Sequence, residues 1–331
     1  MNLKRDTDHE FHAYSEVQEE VLRYLRKRAS DGAESFVTSS ATPIDLSLGR
    51  QFYESPHGLM AEGITLAPTV RRLRHLLTST ASASGVPYSY FADRDAVQEA
   101  NDRGYDPVLY RAYRDILPRR NKKFDGGRSS VCPGSAGAED GTSWWYTDLV
   151  VYPPGLLPGG ELYRSTGHWN SDAQLEIFQT LTGKVLMLTG SRSSEQELCV
   201  KYQICHSGDI AVIPFGDWHL TYCLEGPAAV FNIYTDVPSL SAGASHSSRD
   251  AALDEGVKYA SREPVEVAVV QEAGSVRFVG KDTVAAPPRE TAPPSWIHRY
   301  VDDGIGLSGL YLFGATELLE ALEEMALSEA G

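Results

Sequence analysis

The sequence predicts a mainly β protein, a sandwich or barrel, with helical segments added at both ends. Short apolar runs recur between Gly and Pro residues over about residues 143–238, and such spacing is typical of an all-β sandwich or barrel. The first and last segments instead carry apolar residues at helical spacing. Of the 331 residues, 42% are hydrophobic, so the chain can bury a real core.

Both ends of the chain predict amphipathic helices. In EFHAYSEVQEEVLRYLRKR, residues 10–28, the apolar positions fall near helical spacing and include Val21, Leu22 and Leu25. In TELLEALEEMAL, residues 316–327, Leu318 and Leu322 belong to an apolar stripe on an otherwise acidic helix. We interpret this stripe as a docking surface rather than as part of a cofactor site.

The strand pattern fills the second half of the chain. Polar loops are predicted at residues 126–141 and 239–250, and a further β-rich piece at 265–280 precedes a Pro-rich linker. Eight short strand-like runs lie between the two loops: DLVVYPPG, GELYRSTGHW, LEIFQTL, KVLMLTG, ELCVKYQICHSG, DIAVIPFG, HLTYCLEG and AVFNIYTD.

Charge and composition exclude several classes of function. The formal net charge of −15 argues against nucleic acid or an anionic membrane as a partner, because both need clustered Lys and Arg. We find no apolar window long enough for a membrane span and no signal peptide, so we expect a cytoplasmic protein. The four cysteines show no CxxC spacing, which predicts reduced thiols.

One run, GDIAVIPFGDWH, ends a predicted strand on a histidine. Its Gly208, Pro214, Gly216 and His219 fit the spacing G(x)5PxG(x)2H(x)3N, with Cys223 at the last position. This spacing resembles the second motif of the cupin superfamily. The resemblance implies a double-stranded β-helix, or jelly-roll barrel, and a metal ligand at His219.

The first cupin motif is expected about one hairpin earlier, and GHWNSDAQLEIFQTLTG occupies that place. It supplies His168, then Asn170 where the second motif histidine stands, then Glu176 and Gly183. Residues 168 and 170 of one strand point to the same side, and Glu176 and His219 on other strands can converge with them inside a small barrel.

Two histidines and a carboxylate form a site that suits one divalent ion and leaves coordination positions open for a substrate. We expect Fe2+ or Zn2+, with Mn2+ or Ni2+ as further options, on His168, Glu176 and His219. Asn170 is a candidate fourth ligand through its oxygen, or a substrate contact. The opposing interpretation is a barrel lined by satisfied polar residues that holds no metal.

A narrower resemblance covers about residues 58–290, where the order of segments is similar to that of the archaeal-type, cupin phosphoglucose isomerases. GLMAEGITLAPTVRRL, DPVLYRAY, STGHWN and SGDIAVIPFGDWHLTYCLEGPAAVFNIYTD carry it. The resemblance implies metal ligation by His168, Glu176 and His219, and sugar phosphate contacts at Tyr110 and at Ser165 and Thr166. Phe178 replaces a tyrosine of the family pattern.

The resemblance also predicts how the chain is divided. We expect a helical extension over 1–57, a phosphoglucose-isomerase-like cupin domain over 58–290 with its core barrel at about 143–238, and a C-terminal extension over 291–331 with the acidic helix. Lys184, Tyr152 and Tyr222 are further candidate substrate contacts. We expect a homodimer, because cupins often pair through sheet edges.

Three functions remain open on the sequence alone. The first is a metal-dependent isomerase for a small polar metabolite, in which Glu176 moves a proton between neighbouring carbons or the metal steers a hydride shift. The second is an oxidoreductase that uses the same three residues as a non-haem Fe(II) triad. The third is a non-catalytic cupin that binds a small molecule.

Overall fold

The structure is a computed structural model, and it describes residues 7–29, 41–79, 89–121, 144–170, 174–192, 197–236, 265–272, 274–280, 287–301, 306–314, 321–322 and 324–326. The predicted loops at 126–141 and 239–250 and most of the predicted helix at 316–327 lie outside these residues. Among the described residues, no helix is long and apolar enough to cross a membrane.

Five helices have bounds within the described residues, and residues 321–322 and 324–326 are helical as well. The five helices are α1 Thr7–Arg28, α2 Leu73–Thr78, α3 Arg94–Asp102, α4 His298–Val301 and α5 Gly306–Phe313.

Strands make up most of the rest of the described chain. They are β1 Thr42–Asp45, β2 Gln51–Ser55, β3 Gly58–Ala61, β4 Ile64–Leu66, β5 Thr69–Arg72, β6 Val108–Arg114, β7 Arg120–Asn121, β8 Trp144–Tyr152, β9 His168–Trp169, β10 Glu176–Arg192, β11 Leu198–His206, β12 Ile210–Ile213, β13 Trp218–Asp236, β14 Val267–Glu272, β15 Ser275–Gly280 and β16 Arg289–Glu290.

The strands form three sheets. The largest has the order β16-β11-β10-β13-β8-β6-β5, with β12 added to β10, β9 added to β13 and β7 added to β8. A four-stranded sheet has the order β1-β2-β3-β4, and β14 pairs with β15 as a hairpin. Except for the parallel pair β11 and β16, neighbouring strands are antiparallel.

The strands β10 and β13 form one long ladder that is interrupted in its middle. Its first half pairs residues 176–180 with 230–234, and its second half pairs residues 185–190 with 218–223. Register shifts separate the two halves between residues 180 and 185. The runs LEIFQTL and KVLMLTG are therefore one strand rather than two, and so are HLTYCLEG and AVFNIYTD.

Gly183 lies at this interruption and permits it. Its φ is +75°, in the left-handed region that favours glycine. A Cβ at this position would lie 2.6 Å from the Glu225 carbonyl oxygen and 2.7 Å from the Ala228 Cα, so the two backbones approach each other too closely for any side chain.

Side chains from both halves of the ladder meet in one buried cluster, which we call the barrel interior. Phe178 and Val230 of the first half belong to it together with Met187 and Cys223 of the second half. Because residues from both halves share one core, the halves face each other, as in a jelly-roll barrel. The predicted mainly β class, with helical segments at both ends, is confirmed.

The alternate residues of the same strands face outward and are covered by the rest of the chain. Leu149, Ile177 and Phe231 pack in a second cluster with side chains of the β1–β4 sheet and with Leu25 of α1. This cluster also takes in Leu310 of α5 and Leu322 near the C-terminus. The helical segments thus dock on the barrel, as the amphipathic patterns predict.

The four-stranded sheet crosses the predicted boundary between residues 57 and 58, since β2 before it pairs with β3 after it. The predicted N-terminal extension is therefore helical only in its first part. The strands β1 and β2, within residues 42–55, instead cover the barrel. In β1, Thr42 and Ile44 are buried and Pro43 and Asp45 are exposed, and the helical expectation missed this alternation.

Glu54 of β2 connects the small sheet to β6. Its Oε1 lies 3.5 Å from Arg111 Nη1 and accepts a 3.4 Å hydrogen bond from the Tyr113 hydroxyl. Burial raises the pKa of Glu54 to about 7, although Arg111 and Tyr113 oppose this change. The folded protein therefore keeps a proton on Glu54 at pH values where the unfolded chain has lost it.

We predict that Glu54 makes the free energy of unfolding fall as the pH rises from about 4.5 to about 7. This contribution to stability is fully present below the window and lost above it. It amounts to roughly 3 to 4 kcal/mol at about 1.4 kcal/mol per pH unit. In Glu54→Gln, the free energy of unfolding from urea titrations at a series of pH values should no longer fall across this window. Glu62→Gln, at a side chain that is 91% exposed, is the control. Equal slopes in Glu54→Gln and the wild type would contradict the assignment.

Candidate metal centre

His168 and His219 face each other on neighbouring strands. The two-residue strand β9 pairs with the start of β13, so that His168 lies directly opposite His219. Gly167 comes just before, with φ at +73°, and a Cβ there would lie 3.1 Å from the His219 carbonyl oxygen. The glycine allows the close approach, and the two imidazole centroids are 4.4 Å apart.

Glu176 reaches these histidines from the other half of the ladder. It begins β10, where its neighbours across the sheet are Tyr234 and Ile213. Its Oε2 lies 3.3 Å from His219 Nε2 and its Oε1 lies 3.9 Å from His168 Nε2. The Gln174 amide also donates to Glu176 Oε1, which fixes the orientation of the carboxylate.

The three side chains fit one divalent ion. Ligand atoms of His168, Glu176 and His219 all lie within 4.8 Å of one another. Among the described residues, no other group of three His, Cys, Asp or Glu side chains converges in this way. Ligands that bind zinc at about 2.0 to 2.2 Å lie up to about 4 Å apart, which matches the separations of Glu176 from the two histidines. Glu176 and His219 are buried and His168 is partly accessible, so solvent or a substrate can approach the group from the side of His168.

Asn170 is the candidate fourth ligand, and strand alternation predicts that its side chain points to the same side as His168. It follows β9 two residues after His168, and its backbone N–H donates to the Asp217 carbonyl, which continues the pairing of β9 with the chain before β13. The side chain is 2% exposed, and neither its oxygen nor its nitrogen has a hydrogen-bond partner among the described residues. Such a buried amide is costly without a partner, which fits a role toward an ion or a substrate.

The predicted hydroxyl contacts cluster on the barrel wall. The Tyr110 hydroxyl and Thr166 Oγ1 are 3.1 Å apart, and the Tyr110 ring lies 5.8 Å from the ring of Tyr152. Ser165 Oγ accepts a 3.1 Å hydrogen bond from the Thr221 N–H. Tyr110 and Tyr152 belong to the barrel interior, where the Tyr110 hydroxyl meets Thr166. Their contact with a substrate stays a prediction.

Lys184 and Tyr222 are not brought to this group. Lys184 lies near the bend of the ladder, where its Nζ is 3.3 Å from Glu225 Oε1. Tyr222 faces the outside of β13, three residues after His219, and packs in the outward cluster with Leu186. Burial, followed by the charge of Glu161, raises the pKa of Tyr222, which identifies it as part of a buried structural cluster.

Cys223 occupies the position where the cupin motif has asparagine. It is buried in the barrel interior, and burial raises its pKa to about 12. Burial likewise raises the pKa of Cys205 to about 12. Both thiols are therefore neutral packing groups, and the described cysteines form no disulfide.

Arg114 and Asp148 are interior residues that the sequence analysis did not single out. Arg114 follows Tyr110 by four residues on β6, and the alternation of a strand places both on one face. Asp148 stands opposite Arg114 on β8 and pairs with it. Strand alternation from Tyr110 could have indicated that Arg114 faces the interior. No local feature of the sequence indicates that Asp148 is its partner.

Comparisons with known proteins give partial likenesses. No protein-family profile and no curated protein matches the sequence. Among solved structures, oxalate oxidase in complex with glycolate is 16% identical over 29% of this chain and 44% of that chain, with a TM-score of 0.23. KdgF from Halomonas sp. is 11% identical over 38% and 78%, with a TM-score of 0.23. The Schizosaccharomyces pombe Cnp3 cupin domain is 8% identical over 41% and 78%, with a TM-score of 0.25.

This chain spans less than half the length of the oxalate oxidase chain. All three TM-scores are low, so the metal centre rests on its own contacts and distances.

We predict that His168→Ala or His219→Ala sharply lowers metal affinity. Loss of a hydrogen-bond partner behind a metal ligand already costs about 10- to 100-fold in affinity, so loss of the ligand itself should cost at least as much. Elemental analysis after dialysis against limiting zinc measures the change. His57→Ala, His75→Ala and His206→Ala are controls that should keep wild-type metal content. Full zinc content in His219→Ala would refute the site.

Asn170→His is expected to tighten metal binding by adding an imidazole on the side of the strand that carries His168. We expect at least about a tenfold lower Kd for zinc, which corresponds to about 1.4 kcal/mol. Competition with a coloured zinc chelator gives the Kd. Asn101→His, on α3, provides the matched control. An unchanged Kd in Asn170→His would show that Asn170 does not face the ion.

Proposed function

We propose that this protein is a metal-dependent enzyme of the cupin type that binds one divalent ion on His168, Glu176 and His219 and acts on a small polar metabolite. The observation that carries the proposal is the convergence of these three ligand atoms from three strands within 4.8 Å. The ion would be Fe2+ or Zn2+, with Mn2+ or Ni2+ as alternatives, since a set of two imidazoles and a carboxylate accepts each of them.

When bound, the ion supplies Lewis acidity toward substrate oxygen atoms. The protein supplies the surroundings. Phe178, with its ring centroid 5.4 Å from that of His219, and the apolar residues of the barrel interior exclude water from one side of the triad. In this proposal the hydroxyl groups of Tyr110 and Thr166, which are 3.1 Å apart, bind substrate hydroxyl groups.

Glu176 has two roles in the first candidate reaction, an isomerisation between neighbouring carbonyl and hydroxyl carbons. One carboxylate oxygen, Oε2, is directed at His219 and serves as a ligand. The other, Oε1, is held by Gln174 and lies nearer to His168, where it can accept and return a proton. This arrangement supports proton transfer by Glu176 without loss of the ligand set.

The second candidate is an oxidoreductase that uses Fe2+ and molecular oxygen. It is favoured by the replacement of a third imidazole ligand by Asn170, which leaves the two-histidine, one-carboxylate set of non-haem iron oxygenases. A small-molecule binder without catalysis is the remaining outcome. Homodimer formation remains a prediction of the sequence.

The experiment that tests the proposal follows small hydroxy-carbonyl compounds by proton NMR while an electrode records oxygen. Wild type loaded with Fe2+, Zn2+, Mn2+ or Ni2+ is compared with His219→Ala and with His206→Ala as the matched control. Turnover that needs both the ion and His219 supports an enzyme, and oxygen uptake selects the second candidate. Turnover that survives chelation and His219→Ala contradicts the metal-dependent reaction.

Glucose 6-phosphate is expected to be a poor substrate. Phe178 replaces a tyrosine of the phosphoglucose isomerase pattern, so the interior wall beside His219 lacks a hydroxyl that would contact the sugar. We predict conversion to fructose 6-phosphate well below about 1 s⁻¹, the low end of ordinary enzymes, with each metal. A coupled dehydrogenase assay measures it. Turnover at or above that rate would show that Phe178 is tolerated and that the plain isomerase interpretation is right.

A further inference from the structure

A charged pair stands inside the barrel on the wall formed by β6, β8 and β13. On β6, Tyr110 and Ala112 belong to the barrel interior, and strand alternation places Arg114 on the same face. On β8, Val150 and Tyr152 contribute to the same core, which places Asp148 there as well. An arginine inside a barrel is rare without a function or a partner.

Asp148 fixes Arg114 in place. Its carboxylate is fully buried, and one oxygen, Oδ2, accepts from Arg114 Nη1 while the other, Oδ1, accepts a 3.1 Å hydrogen bond from the Asp115 N–H. Burial alone would lower the pKa of Arg114, but Asp148, Tyr234 and Tyr110 raise it, so the guanidinium is charged at all relevant pH values. Asp148 therefore acts as a positioning residue.

Arg114 keeps donors for a ligand. Its side chain is 33% exposed, and among the described residues the side-chain hydrogen bond of Arg114 goes to Asp148 alone, through one of its five N–H groups. The remaining edge of a planar guanidinium matches the two oxygens of a carboxylate.

The pair lies close to the candidate metal centre along the sheet. Arg114, Asp148, Asn232 and Phe178 follow one another across β6, β8, β13 and β10. Glu176 is the next residue of β10 on the same face as Phe178. With strands about 4.8 Å apart, β8 and β10 are separated by about 10 Å, a gap that a long arginine side chain and a molecule of a few carbons can span.

Asn232, between the pair and β10, provides a second and independent indication of a ligand. Its side chain is 5% exposed, and its Oδ1 has no hydrogen-bond partner among the described residues. Two residues before it, Val230 belongs to the barrel interior, so alternation directs Asn232 into the same interior. A buried amide oxygen of this kind suits a ligand hydroxyl as donor.

The charges of the two groups select the ligand. Two neutral histidines, one glutamate and a divalent ion carry a net charge of about +1, and Arg114 and Asp148 cancel each other. A ligand with one negative charge neutralises the site, whereas a phosphate dianion leaves an excess charge in a buried cavity.

We propose that Arg114, positioned by Asp148, binds the carboxylate of a small hydroxy acid whose hydroxyl reaches Asn232 or the metal centre. The inference deepens the proposed function, since it names the substrate class of the same cavity. It does not require a bound metal, because the carboxylate contact is made by Arg114.

The experiment measures binding of glycolate, lactate and glycerate by isothermal titration calorimetry, with zinc-loaded and metal-free protein. The neutral counterparts ethylene glycol, 1,2-propanediol and glycerol, and inorganic phosphate, are the comparison ligands. The main variant combines Arg114→Met with Asp148→Asn, so that no buried carboxylate loses its partner. Arg277→Met removes an arginine from a surface pair with Glu272 on the β14–β15 hairpin and serves as the matched control.

We expect the double variant to bind at least one hydroxy acid about 10- to 100-fold more weakly, as for loss of a charged hydrogen bond. Arg277→Met should bind like the wild type, and zinc content should not change in either protein. Arg114→Lys, which keeps the charge but loses the planar fork, should show an intermediate loss, and it decides the case if the double variant does not fold.

Four results overturn the inference: no hydroxy acid binds to the wild type, affinity is unchanged in the double variant or in Arg114→Lys, the neutral counterparts bind equally well, or phosphate binds more tightly. The two proposals can fail separately. If the wild type binds no metal but the double variant loses hydroxy acid binding, the metal-dependent function is wrong and the role of Arg114 stands. If the wild type binds zinc through His219 but the double variant binds hydroxy acids unchanged, the role of Arg114 is wrong and the metal site stands.

Discussion

The bend of the β10 and β13 ladder at Gly183 is the constraint on which the candidate site depends. Glu176 begins β10, whereas His219 pairs with Thr189 near the other end of the same strand. On a straight ladder these positions would be about 40 Å apart, at about 3.3 Å per residue. In the bent ladder Glu176 Oε2 and His219 Nε2 are 3.3 Å apart. The bend requires a residue without a side chain, because the Glu225 and Ala228 backbones occupy the space of a Cβ.

The bend also determines what surrounds the three ligands. Facing halves of one ladder create an interior lined by apolar side chains such as Phe178 and Met187, and polar groups in such surroundings interact strongly. Alternate residues of each strand face this interior. On β9, β10 and β13 they include His168, Glu176 and His219, and on β6 and β8 they include the Arg114–Asp148 pair. The candidate metal centre and the proposed anion contact on adjoining walls would therefore both follow from one topology. The small sheet and the terminal helices cover the outward rows and stabilise this arrangement.

The sequence predicts the mainly β class, the terminal helices and the three converging residues because each has a local signal. His168, Glu176 and His219 stand at fixed spacings from strand and turn residues, and strand alternation gives their side. The continuity of β10 was missed, because Thr182 and Gly183 look like a turn when the partner strand is unknown. Arg114 and Asp148 are 34 residues apart, so their pairing depends on strand register. The assignment of Tyr222 to the site was wrong, because alternation along β13 puts a residue three positions after His219 on the opposite face.

The most direct test of the account is the position of a zinc ion in crystals of the zinc-loaded protein, located by anomalous diffraction. The account predicts one strong peak within about 2.0 to 2.2 Å of His168 Nε2, His219 Nε2 and a Glu176 carboxylate oxygen. The same crystal shows whether the facing halves of the ladder bring these atoms together. A fully occupied zinc site that lacks Glu176 or His219, or a structure in which those two side chains lie apart, would contradict it.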